Sequence, residues 1–407
     1  MRSADSVDEG RRERPLRACM LAYTFYENDG RVMRYAEALA QSGADVDAIV
    51  LRRPGQESLS EINGVKICRI QLREKNERGK LTYLWRLAAF FARSMLEVTR
   101  RHRHQPYDLI HVHSVPDWEV FAAFVPKLTG AKIILDIHDI VPELYAAKFG
   151  VAPESIVFKC LTAIERRSSA FADHVIIASD LWLERLVQRS APRQHCSVFI
   201  NYPDLSVFHP SLRNRKNDGR FVVLYPGTLN WHQGLDVAIK AVALVKHQVP
   251  GLQLDIYGEG PSESALRASI DDLGLAQCVR LMPPISLREI AGVMANADLG
   301  VVPKRDDSFG GEAFSTKILE FMALGIPLVV ADTRIDRHYF SEDLLRFFTS
   351  GNERALADKI VEAYVHQEDG RRRAAAAIEY VAVNNWGRKK HAYLDLVHTL
   401  VRVAQET

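Results

Sequence analysis

The sequence predicts an α/β protein of two domains, each a mainly parallel sheet with helices on both faces. Three observations carry this. Strand-like apolar runs alternate with helix-periodic segments through most of the 407 residues. A stretch rich in Pro, Asn and charge, NYPDLSVFHPSLRNRKNDGR (201–220), interrupts the alternation and reads as a linker. The strand–helix rhythm then restarts. Length alone favours two or three domains.

ACMLAYTF ends in turn residues and reads as the first strand. GRVMRYAEALAQSG has helical spacing, opened by Gly30 with Asn28 or Asp29 as cap and closed by Gly43. ADVDAIVLR returns to strand. DLIHVHS, VFAAFVPKLTG and AKIILDIHD repeat strand, helix, strand, and RSSAFADHVIIASD adds another strand. Beyond the linker come strands at FVVLYPGTL, LQLDIYG, CVRLMPPI, DLGVVP and PLVVAD. Between them lie helices at LDVAIKAVALVKHQ, ESALRASIDDLG, REIAGVMANA and the segment around STKILEFMAL. NNWGRKKHAYLDLVHTLVRVAQET is a long amphipathic helix. The expected organisation is a tail at 1–14, domains at 15–205 and 206–385, and a C-terminal helix at 386–407 packing back on the first domain. Open parallel sheets bind ligands beyond the carboxyl ends of their strands, so a crevice between two such domains is the expected site.

Composition narrows the function. Hydrophobic residues make up 47% and charged residues 26%, enough for a large core. With 53 basic against 51 acidic residues, the net charge of +2 argues against a dedicated nucleic-acid binder. The five cysteines (Cys19, Cys68, Cys160, Cys196, Cys278) are scattered and form no C-x-x-C, which disfavours a disulfide framework or zinc site and favours a reducing cytosol. No apolar run approaches the ~18–20 residues of a membrane span, and no signal peptide is expected at the polar N-terminus. The expected location is cytoplasmic. No G-x-G-x-x-G follows the first strand, which weakens a dinucleotide-dependent oxidoreductase.

GGEAFSTKILEFMALGIPLVV (310–330) carries the chemistry. Ser315 or Thr316 can cap a helix, Ile318, Leu319 and Met322 give it a buried stripe, and Gly325 ends it. Glu312 then lies in a glycine-rich loop at the helix N-terminus and Glu320 inside the helix. A helix N-terminus attracts anions. One segment thus offers N–H groups for phosphate, a cation at Lys317, and two carboxylates for hydroxyls, the partners that a sugar nucleotide presents.

This stretch resembles the E-x7-E motif of the retaining glycosyltransferases of family 4, which have the GT-B fold. FVVLYPGTLNWHQGLDVAIKAV resembles that family's first C-domain strand, phosphate loop and helix. IYGEGP (256–261) resembles its V-G-x-G-P turn, and ADLGVVP (297–303) the strand before the motif. DIHDIVPE, DHVIIASD and FINYPDLSVFHP fit in the N-terminal half, so the resemblance spans roughly 18–390. It implies two Rossmann-like domains with parallel sheets facing a central cleft. It implies retaining transfer of a sugar from a nucleotide sugar to a hydroxyl acceptor, in cell-surface polysaccharide or glycolipid assembly, with no metal and no cofactor beyond the nucleotide-sugar co-substrate.

The resemblance also implies roles. Glu312 would hold hydroxyls of the transferred sugar, with His138 nearby as a second catalytic position. Glu320 would hold the ribose, Gly227 would let backbone approach the diphosphate, and the MPPI turn with Pro284 and Ile285 would face the nucleobase. Gly30 would face the donor phosphate and the acceptor, and Gly311, Phe314, Ser315 and Thr316 belong to the donor-binding loop. One departure stands out. Many members carry Arg and Lys on the phosphate loop where this chain has Thr228 and Gln233. The phosphate charge then needs Lys317, or failing that Lys304 or Arg305. That departure keeps a non-catalytic nucleotide-sugar-binding protein, or a GT-B sugar-nucleotide epimerase, as alternative readings.

Four further features bear on function. His111 and His113 share a strand face but have no third ligand at a plausible spacing, so a structural role is expected. Asp306-Asp307 resembles a metal-binding acidic pair, yet no metal is expected. Arg31 and Arg34 are expected on a solvated helix face. Residues 73–104 hold nine Lys/Arg against three Glu, with Tyr83, Trp85, Phe90 and Phe91. They read either as a helix lying on an anionic membrane surface beside a lipid-linked acceptor, or as a domain helix with its aromatics in the core.

Overall fold

The structure, a computed structural model, describes residues 14–73, 80–216, 218–307 and 309–405. All but the last residue of the expected tail, and residues 74–79 of the basic stretch, lie outside these.

The first sheet contains β1 (Arg17–Ala22), β2 (Asp45–Arg52), β3 (Leu59–Ile62), β4 (Val65–Leu72), β5 (Leu109–His113), β6 (Lys132–Ile137), β7 (His174–Ile177) and β8 (Cys196–Val198), in the order β3-β4-β2-β1-β5-β6-β7-β8. β1 pairs in parallel with β2 and β5, and β5 with β6. β3 and β4 form an antiparallel hairpin around Asn63 and Gly64, at φ +50° and +79°. Asn-Gly is the pair that such a tight turn favours. The helices of this half are α1 (Gly30–Gln41), α2 (Lys80–His104), α3 (Phe124–Leu128), α4 (Val141–Phe149), α5 (Ile156–Phe171) and α6 (Asp180–Arg189). α1 is capped by Asp29, whose side chain accepts from the N–H groups of Arg31 and Val32. The helix expected over VFAAFVPKLTG is mostly a 3-10 turn over Asp117–Ala123, followed by the five-residue α3. Pro116 and Pro126 bracket the turn, and neither can donate a backbone hydrogen bond.

The second sheet contains β9 (Phe221–Pro226), β10 (Leu252–Tyr257), β11 (Val279–Met282), β12 (Leu299–Val302), β13 (Leu328–Asp332) and β14 (Arg346–Thr349), in the order β11-β10-β9-β12-β13-β14. Every pair is parallel. This is the doubly wound order of a Rossmann-like domain, with its switch point between β9 and β12. The helices after the linker are α7 (Leu235–Val245), α8 (Glu263–Asp272), α9 (Leu287–Ala295), α10 (Thr316–Leu324), α11 (Arg334–Tyr339), α12 (Glu353–Val365), α13 (Gln367–Val383) and α14 (Trp386–Gln405). Strand alternation decides which layer each residue joins. Val223 and Tyr225 pack under α7 with Ile239 and Val242. Leu224 packs on the other face with Ile318, Leu319 and Met322 of α10.

By packing, the chain divides into two compact units. One comprises Met1–Ile137, Arg167–Val175 and Tyr393–Thr407, the other His138–Arg166 and Ile176–Ala392.

Candidate active site

Within the second unit, the carboxyl ends of β9, β10 and β11 are laced together by backbone. Gly227 N–H donates to Tyr257 O (2.8 Å), and Gly258 N–H to Met282 O (3.0 Å). The three loops and the first turns of α10 enclose a pocket of about 390 Å³ lined by Gly227, Thr228, Tyr257, Glu259, Pro284, Ile285, Ile290, Thr316, Lys317 and Glu320, among others. Seven of the residues singled out from sequence meet here: Gly227, Thr228, Pro284, Ile285, Thr316, Lys317 and Glu320. Tyr257, Glu259 and Ile290 join them. Glu259 sits inside the IYGEGP turn, so its place beside the phosphate loop was legible although its side chain carried no expected role. The lining combines apolar Pro284, Ile285 and Ile290 with two carboxylates and a single cation.

Gly227 is required by geometry. Its φ is +143°, and a Cβ there would lie 2.3 Å from Cε of Lys317. The lysine aliphatic chain thus fills the space that a side chain at 227 would take. Its ammonium lies 5.3 Å from the centre of the Tyr225 ring. Burial of that ammonium pulls the Lys317 pKa down to about 8, against a smaller opposing pull from Glu320.

α10 ends as expected, with Gly325 in the left-handed conformation (φ 70°). Its start differs. Ser315 occupies the cap position, but its side chain makes no capping hydrogen bond. Among the described residues, its buried hydroxyl has no partner at all. A helix N-terminus with free N–H groups, an idle hydroxyl and a desolvated lysine is suited to an anion.

Glu312 does not line this pocket. It is buried, and Arg185 of α6 donates to both its oxygens at 2.7 Å. Arg334 adds a contact at 3.2 Å. A carboxylate offers about four acceptor positions, so three are already in use. Arg185 also approaches Glu143 (3.7 Å), which Arg189 clamps together with Glu165. Sequence reasoning missed Arg185, which lies 127 positions from Glu312 and carries no local signal. Gly311 stands beside Glu312 and accepts from Ile335 N–H at 3.0 Å, while Phe314 packs edge-on against Tyr339.

The alternative cations are engaged elsewhere. Lys304 is buried, donates to Ala313 O at 2.8 Å and pairs with Asp336 at 3.0 Å. Arg305 is bound by Asp236 and lies 4.5 Å over the Trp231 ring. Gln233 points its Oε1 at the Tyr225 hydroxyl, 2.9 Å away. Asp307 accepts from the N–H groups of Phe309 and Gly310 and contacts His232 at 2.7 Å.

His138 lies one residue past β6 and is half-buried, and Gly30 is exposed at the start of α1. Arg31 departs from expectation. It is buried, not solvated, and donates to both oxygens of Asp136 at 2.7 and 2.6 Å. Asp136 stands opposite His113 in the β5–β6 register. It is the third group that spacing alone did not reveal, since atoms of His111, His113 and Asp136 lie within 4.8 Å of one another. The set does not suit a metal ion, because the Arg31 guanidinium already covers both carboxylate oxygens. His111 Nδ1 also lies 2.9 Å from the Tyr393 hydroxyl of α14.

Two parallel-sheet domains, the second holding this pocket beyond its strands, define a protein of the GT-B fold. Among solved structures, sucrose-phosphate synthase from Thermosynechococcus elongatus matches with a TM-score of 0.79 at 18% identity, covering 95% of this chain and 100% of that one. HepE from Anabaena, in complex with UDP and glucose, matches with a TM-score of 0.72 at 16% identity over 94% and 100%. Residues 30–201 match the glycosyl transferase 4-like domain and residues 211–380 the glycosyl transferases group 1 family, so the chain belongs to the group 1 (family 4-type) glycosyltransferases. A D-inositol 3-phosphate glycosyltransferase from Arthrobacter sp. is 29% identical over 246 residues, 57% of this chain and 56% of that protein. The enzyme of that description from Paenarthrobacter aurescens is 26% identical over 317 residues, 74% and 75%. The match thus spans little more than half the length of the first of these relatives.

Proposed function

We propose that the protein binds a nucleoside-diphosphate sugar in the pocket beyond β9–β11 and transfers the sugar, with retention, to a hydroxyl acceptor. The observation that carries this is the α10 N-terminus, where a buried Ser315 hydroxyl with no partner among the described residues precedes the desolvated Lys317, which lines a pocket with apolar Pro284, Ile285 and Ile290. In this reading Pro284, Ile285 and Ile290 take the base, and Glu320 accepts from ribose hydroxyls. The helix tip and Lys317 neutralise the diphosphate as it departs. The transition state is oxocarbenium-like, and the diphosphate is a good enough leaving group to need no strong acid. Glu312, fixed by Arg185, keeps about one acceptor position for a hydroxyl of the transferred sugar, and His138 is the second group assigned to that sugar. UDP and UDP-glucose are the first ligands to try, since HepE structures contain them.

The acceptor reading includes a lipid-linked sugar in polysaccharide or glycolipid assembly. α2 supports it in part. Trp85, Leu84 and Leu96 are 74%, 53% and 69% exposed, whereas Phe90 is in the core. Apolar side chains among exposed arginines suit an anionic membrane face. No helix among the described residues is long and apolar enough to cross a membrane.

A thermal-shift screen against nucleoside diphosphates and nucleotide sugars tests binding, because a ligand of the folded state alone raises its melting point. Acceptor-dependent release of nucleoside diphosphate tests transfer. Glu312→Ala and Glu320→Ala should each lower it by roughly tenfold or more, about 1.4 kcal/mol, and full activity in both folded variants would overturn the site. A second reading, a binding protein without turnover, is favoured by Thr228 and Gln233 standing where cations are usual, with Lys304 and Arg305 engaged elsewhere. Donor binding with neither transfer nor hydrolysis would establish it.

A further inference from the structure

A second hollow in the same unit, about 550 Å³ in volume, opens at the opposite, amino ends of the strands. Phe221 begins β9, Asp298 precedes β12 and Pro327 precedes β13, and all three line it. At about 3.3 Å per residue, the length of β9 puts this hollow roughly 17 Å from the donor pocket. Five cations converge on it: Arg213, Arg215, Lys216, Arg220 and Arg371. Asp298 is the one carboxylate among the lining residues, and Asp218 stands adjacent. Five positive charges against two negative ones is a strong local excess in a chain whose net charge is only +2.

The cations fall into two groups. Three arginines are pre-positioned. Arg213 donates to the carbonyls of Ala295 (3.1 Å) and Ala297 (2.9 Å). Arg215 is held by Asp298 (2.9 Å) and Asp218 (3.0 Å), and Arg220 by Asp218 (2.8 Å). Among the described residues, the Lys216 and Arg371 side chains have no acidic partner. Phe221 and Tyr364, edge-on with ring centres 5.3 Å apart, supply an apolar wall. Oriented arginines, two uncommitted cations and a ring-sized apolar face in a ligand-sized volume suit a compact polyanion bearing a ring.

We infer that this hollow is a binding site for a small soluble phosphorylated compound, separate from the donor pocket. It uses the R-N-R-K run of the linker, 213–216, which donor binding leaves unexplained. α10 touches both places: Thr316, Lys317 and Glu320 line the donor pocket, and its capping Gly325 lines this one. The inference stands whether or not the donor assignment does.

The test is calorimetric titration of the full chain with inorganic pyrophosphate at fixed ionic strength. Binding should persist in Lys317→Met, which disables the donor pocket. In the Lys317→Met background it should weaken at least tenfold in the double variant Lys216→Glu/Arg371→Glu, whose melting temperature should match its parent's because neither side chain has an acidic partner among the described residues. Loss of all pyrophosphate binding in Lys317→Met would overturn the inference, as would unchanged binding in the double variant. Co-sedimentation with phosphatidylglycerol vesicles that needs Lys216 and Arg371, without pyrophosphate binding, would assign the surface to lipid headgroups and overturn it equally.

Discussion

Replacing Lys317 with methionine should make the ligand-free protein more stable and a poorer binder. Below pH 8 the lysine is charged in both folded and unfolded chains, but the folded chain desolvates it. The gap between the ordinary 10.5 and about 8 corresponds to about 3 kcal/mol at most. The side chain keeps some solvent contact, so ~1–2 kcal/mol is the realistic gain for an apolar side chain of similar volume. The sign follows from linkage. Between about 8 and 10.5 the unfolded chain still holds the proton while the folded chain has released it, so the lysine's penalty fades as pH rises through this window. The advantage of Lys317→Met should be full at pH 7 and shrink above pH 8. Differential scanning calorimetry at several pH values measures this. Titration with UDP supplies the other half. In wild type, affinity should fall by up to about tenfold per pH unit above 8, since binding takes up a proton there, and the variant should bind weakly without that slope. A variant less stable than wild type at pH 7, with unchanged UDP affinity, would refute the reasoning.

Gly227→Ala should cost ~1–3 kcal/mol in urea unfolding through its φ and its collision with Lys317, whereas Gly30→Ala, with open space around it, should be nearly neutral. Arg185→Met should lower transfer by roughly tenfold while leaving UDP affinity near wild type, because Glu312 lies outside the pocket; equal loss of both would place Arg185 in nucleotide binding. Asp136→Asn should cost about 3–5 kcal/mol in denaturant unfolding, because it strips the buried Arg31 guanidinium of its ionised partner.

Five of the six strands of the second sheet were legible because apolar runs and capping glycines act locally, whereas β14 (Arg346–Thr349) was not read. The phosphate loop, the IYGEGP turn and the α10 segment were legible for the same reason, and the parallel register brings them together. What escaped was set by distance along the chain. The Arg185–Glu312 pair joins positions with no common periodicity. Asp136 completes the histidine pair only through the β5–β6 register. Arg31 reads as a surface residue in the sequence because its acid partner lies 105 positions away. Ser315 sits at the predicted cap position, but its hydroxyl makes no capping bond, which nothing local in the sequence signals. The β3–β4 hairpin is a different failure, since its Asn63-Gly64 signal is local and plain in the sequence.

The Tyr393 contact with His111 carries a consequence for biosynthesis. The ring is fully buried in the first unit, yet it is encoded 282 residues after the strand position it touches. At ribosomal speeds of roughly 5–20 residues per second, the nascent unit waits on the order of ten seconds to a minute with that interior position empty. Its last stitch is sewn only once α14 has been made, which makes that helix a poor place for truncation and a natural point for quality control to inspect.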